Sequence, residues 1–178
     1  MKKEKKKKGR RAYLNDFQKN GAGGYVYKGD LYRYTAGEKQ RKKDLLLLWV
    51  WYASAVIVAI AAGCLPAEGL GRSALVLLPY LVEVGGLAAV GWALCRITAG
   101  GELLRAYVYE SSVLKINRRT WVALIGAAAT LVGGIIFISW QGFCSNGAVD
   151  LAFLVMHPVV FAGVWGAKKQ AGKMKWSK

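Results

Sequence analysis

Leu45-Leu46-Leu47-Leu48-Trp49-Val50-Trp51-Tyr52-Ala53-Ser54-Ala55-Val56-Ile57-Val58-Ala59-Ile60-Ala61-Ala62-Gly63 is a run of nineteen residues without a charge. At about 1.5 Å per helical residue, it reaches across a hydrocarbon core roughly 30 Å thick. Three more runs of this kind follow, at 73–98, 120–140 and 148–167, separated by short polar breaks. Backbone amides inside lipid have no water to pair with, so each run must satisfy its own hydrogen bonds as a helix. The expected fold is therefore an all-α bundle of four transmembrane helices.

The chain has 178 residues and a mean hydropathy of +0.25, and the spans consume about half of it, which leaves no room for a second globular domain. Three parts are expected: a basic, tyrosine-containing segment 1–44, a membrane domain 45–167 and a basic tail 168–178. The net charge of +16 would suit a nucleic-acid binder if read as a total, but its distribution says otherwise. Of 26 Lys and Arg, 15 lie in 1–44, five in 96–119 and five from Lys168 onward, leaving Arg72 alone in the other two breaks. This asymmetry predicts that both termini and the middle break are cytoplasmic, in a multi-pass plasma-membrane protein. No nucleic-acid recognition motif accompanies the basic residues.

Upstream of the first span, Lys2 to Lys8 form a basic run that is expected to sit against anionic lipid headgroups. Tyr25, Tyr27, Tyr32 and Tyr34 crowd one decapeptide around Lys28-Gly29-Asp30, a pattern that suggests a small hairpin or extended segment. Such a piece is marginal by itself, so it needs a surface: the membrane interface, or a partner protein. Between the second and third spans, Glu102 to Ile116 places Leu103, Leu104, Tyr107, Val108 and Leu114 at roughly helical spacing. This predicts a short amphipathic cytoplasmic helix, ended at the headgroups by Arg118 and Arg119. Tyr107 and these two arginines join the four tyrosines as candidate partner or lipid contacts.

Small residues recur within the spans: Ala55, Ala59 and Gly63 in the first, Gly85, Gly86 and Ala89 in the second, Gly126, Thr130 and Gly134 in the third. Such stripes let helices approach closely. Pro79 and Pro158 each remove a helical donor and are expected to kink the second and fourth spans. Of the cysteines, only Cys64 and Cys144 fall on the same, outer side, where a disulfide between them can form.

One constellation stands out. Glu83 and His157 both lie near mid-depth in spans that descend from the outside, each beside one of those prolines. Ionisable groups at that depth are costly and face the bundle interior; paired, they relieve each other's burial. Tyr80, Ser54 and Thr130 are candidates for polar company. The pair reads either as a clasp between two helices or as a proton- or cation-sensitive point on a transport path. No third ligand lies at the same depth, so no metal is expected, and no cofactor-binding or catalytic motif is present. The expected role is a non-catalytic accessory or assembly subunit of a larger membrane complex, bound to a membrane-protein partner or to copies of itself. The alternative is a small homo-oligomeric transporter or channel subunit using Glu83 and His157.

Overall fold

A computed structural model describes residues 16–19, 23–143 and 146–178. The structure is predominantly helical. Four helices are long and apolar enough to cross a membrane: α1 (Gly37–Gly63), α3 (Ala74–Ala99), the continuous stretch Ala106–Gln141, and α6 (Gly147–Lys173). Between α1 and α3 lies the single short helix α2 (Glu68–Arg72). Only 28–39% of the most apolar stretch of each span is buried. The remaining faces, carrying Leu46, Ile57, Leu78, Ile125 and Val155, are apolar and exposed, as helices solvated by lipid require.

Around the bundle the order is α1, α6, α5, α3, where α5 is Leu114–Gln141. Two tight pairs, α3 with α5 and α1 with α6, are joined by α5 against α6. Glycines explain the tight pairs. A Cβ on Gly86 would sit 2.6 Å from the Ala123 amide nitrogen, and one on Gly126 would sit 2.5 Å from that of Glu83. Across the other pair, Gly163 faces Ala55. Pro79 leaves the Leu75 carbonyl without its helical amide, and Gly133 gives that oxygen room, since a Cβ there would lie 2.5 Å away. Both prolines sit inside uninterrupted helices.

The opening between α1 and α3 is bridged by side chains that donate to backbone carbonyls or to a hydroxyl. Tyr52 donates to the Leu87 oxygen at 3.1 Å, Tyr80 to Ala59 at 2.8 Å and buried Arg41 to Ile97 at 3.1 Å, while Trp49 Nε1 reaches Thr98 Oγ1 at 3.0 Å. These contacts supply what packing does not, because α1 and α3 otherwise touch sparsely.

The described parts of the basic segments gather at one end, termed here the basic end. α1 starts eight residues before Leu45, because Glu38 pairs with Lys42 at 2.7 Å and Gln40 donates to Asp44 at 3.1 Å, both one turn apart. The tyrosine-rich decapeptide is extended, as expected, but is not a hairpin on itself. β2 (Tyr25–Tyr27) pairs with β1 (Phe17–Lys19), whereas β3 (Leu31–Tyr34) is the centre of a separate antiparallel sheet. Its neighbours are β4 (Leu103–Arg105) and β5 (Trp176–Ser177). β3 thus lies against the middle break and the tail of its own chain.

The separate amphipathic helix expected over Glu102 to Ile116 does not form. Its first part is β4, captured by β3, and the rest, α4 (Ala106–Val108) and a π-turn (Tyr109–Val113), runs unbroken into α5. Side-chain spacing cannot anticipate this, because the pairing partner lies some 70 residues upstream.

Candidate functional site

Glu83 is set by α3, whose buried face carries Val76, Glu83, Leu87, Val90 and Leu94. His157 is set by α6, whose buried face carries Asp150, Phe153, His157, Val160, Val164, Ala167 and Gln170 at three- and four-residue steps. The structure brings the two together: His157 Nδ1 stands 3.0 Å from Glu83 Oε2, and both side chains are 0% exposed. The contact is an ion-pair approach without hydrogen-bond geometry, and Glu83 Oε1 and His157 Nε2 have no hydrogen-bonding partner among the described residues.

The walls of the site are apolar or already satisfied. The Phe153 ring meets the imidazole edge-on at 4.6 Å between centroids, and Tyr80 approaches it at 6.0 Å. Tyr80 is held there by its bond to Ala59. Thr130 is buried but donates to Gly126 within its own helix, and Ser54 is exposed and bonded to Trp51. Of the three candidate companions, only Tyr80 therefore belongs to the site. Close contact of Gly126 with the Glu83 backbone fixes where the carboxylate emerges.

A carboxylate and an imidazole this close offset part of each other's burial cost when both are charged. Desolvation makes the separated ions far more costly than the pair. Among the described residues no group of three or more His, Cys, Asp or Glu side chains comes together.

At the basic end a second polar cluster was not anticipated. Asp44 accepts from the Tyr34 hydroxyl at 2.6 Å, from Gln170 Nε2 at 3.0 Å and from Gln40 Nε2 at 3.1 Å, tying β3, α1 and α6 together. Burial, reinforced by the Asp44 carboxylate, pushes the Tyr34 phenol up to about 12. The signal for Gln170 was present: it continues the buried stripe of α6 through His157.

The other sequence candidates are distributed as follows. Tyr32 stacks on Tyr109 at 4.0 Å, Tyr34 meets Trp176 edge-on, and the Tyr27 hydroxyl accepts from the Ala106 amide. Tyr25 is 69% exposed and is the one of the four that faces outward fully. Arg96 lies over the Tyr107 ring. Arg119 donates to the carbonyls of Ala89 and Ser111, strapping α5 to α3, whereas Arg118 is exposed. Cys64 is exposed at the end opposite the basic one; its expected disulfide partner, Cys144, lies outside the described residues, as does the run Lys2 to Lys8.

Compared with models of known protein families, with curated proteins and with solved structures, the chain matches none.

Proposed function

We propose that this chain is a non-catalytic accessory or assembly subunit of a larger plasma-membrane complex, with both termini and the basic end on the cytoplasmic side. The observation that carries this reading is the complete burial of the mid-membrane pair. Glu83 and His157, the groups a solute path would use, are wholly buried and walled by Phe153 and Tyr80. Such a pair clasps α3 to α6. The charge asymmetry supports the orientation, and strands from three distant segments knit the basic end into a preformed platform, which suits a protein that presents a surface.

A second reading, a small homo-oligomeric transporter or channel subunit, is favoured by one specific observation: Glu83 Oε1 and His157 Nε2 are polar, buried and unpartnered among the described residues. Transport gives these atoms a use that a clasp does not. Affinity purification in mild detergent, followed by mass spectrometry, separates the two readings when combined with flux assays. A stoichiometric membrane partner and no proton or cation flux in proteoliposomes at any pH supports the subunit. Flux from the purified chain that disappears in Glu83→Gln, with the fold retained, overturns it.

A further inference from the structure

Between the basic ends of α5 and α6 lies a cleft of about 550 Å³, large enough for a ligand of headgroup size. Its lining combines apolar Val113, Leu114 and Met174 with polar Asn117 and basic Lys168 and Lys169, and none of the residues lining the cleft is acidic. Lysines in the last turns of a helix are ordinarily explained by its dipole. Here Lys168 is drawn sideways instead: its ammonium sits 3.6 Å from the Trp121 ring centroid and 4.8 Å from that of Trp165. Lys169 also lies over Trp165, at 6.0 Å. Two tryptophan rings thus hold positive charge at the mouth of the cleft.

The π-turn Tyr109–Val113 contributes Tyr109 and Val113 to the lining, and such turns recur at functional sites because they re-aim side chains. Beyond the mouth, the apolar lining continues onto the exposed faces of α5 and α6, through Trp121, Ile125 and Phe161. Exposed tryptophans beside lysines mark the depth at which acyl chains give way to headgroups.

We propose that this cleft is a binding site for one anionic phospholipid, with the phosphate against Lys168, Lys169 and the Asn117 amide and the acyl chains along the Trp121, Ile125 and Phe161 faces. A soluble anion would use the charge but not the apolar lining. A zwitterionic lipid would use that lining but carry no net charge for the lysines to attract. The inference needs the bundle to sit in a membrane with this end at a headgroup layer, and is independent of the subunit reading.

The test uses the full chain in detergent, titrated with phosphatidylglycerol or phosphatidylcholine and read by native mass spectrometry. Phosphatidylglycerol is expected to bind at least tenfold more tightly than phosphatidylcholine, and Lys168→Gln/Lys169→Gln to remove about tenfold of that affinity. Lys39→Gln/Lys43→Gln changes the net charge equally, on exposed positions of α1, and is expected to leave it unchanged. Asn117→Trp, which fills the cleft without altering charge, is expected to displace the lipid and keeps the proposal testable if the double lysine variant misfolds. Equal losses in the two lysine pairs would overturn the site in favour of diffuse surface attraction. Displacement of phosphatidylglycerol by millimolar inorganic phosphate would overturn it in favour of a small-anion site.

Discussion

Replacing His157 by leucine is expected to cost about 3–5 kcal/mol of folding stability, and replacing Glu83 by leucine a similar amount, because each change strands the other group in the bundle interior. The double replacement Glu83→Leu/His157→Leu is expected to recover most of that loss, since no uncompensated polar group remains and both volumes are filled. Unfolding titrations in mixed micelles would supply the four corners of the cycle. The reasoning rests on the 3.0 Å approach and on side chains with no exposure. If the single losses simply add in the double variant, the two groups do not act as a pair.

The second large effect concerns two adjacent glycines. Gly86→Ala is expected to destabilise by about 1–3 kcal/mol, because a Cβ there meets the backbone of Ala123 at 2.6–2.7 Å, and backbone cannot swing aside as a flexible side chain would. Gly85→Ala is expected to be neutral or slightly stabilising, since a Cβ there meets nothing within 4 Å and alanine is the better helix former. Gly126→Ala joins the costly class through its contact with Glu83. The same titrations would check this, and equal effects at Gly85 and Gly86 would mean that α3 presents a different face to α5.

That contrast also shows how far a sequence of this kind can be read. Hydropathy locates the spans well because lipid imposes one requirement on every residue in them; the run ending at Gly63 ends there in the structure too. It misses the polar first turns of α1, which side-chain pairs hold rather than apolar burial. Stripes of small residues are visible as periodicity, yet facing is not: Gly126, Thr130 and Gly134 are all buried, whereas Gly63 and Gly85 are exposed. Depth alone matched Glu83 with His157, because two helices crossing the same slab bring equal depths to the same level. Contacts between segments far apart in the chain left no local trace. The β3, β4 and β5 sheet and the Asp44 cluster join residues from near 30, 100 and 170, and Tyr27, Tyr32 and Tyr34 make contacts of this long-range kind within the molecule.

The proposed role requires lipid as the solvent for four helices, with the basic end facing the cytoplasm. The most direct measurement is labelling by a membrane-impermeant maleimide on intact cells, using a cysteine-free background with single cysteines at Pro66 and Lys178. Pro66 is exposed between α1 and α2, at the opposite end from Lys178, whose ammonium pairs with Asp30 at 3.0 Å on the basic end. The account predicts that Pro66→Cys is labelled from outside and that Lys178→Cys is labelled only after the membrane is permeabilised. Labelling of both positions from the same side would contradict it.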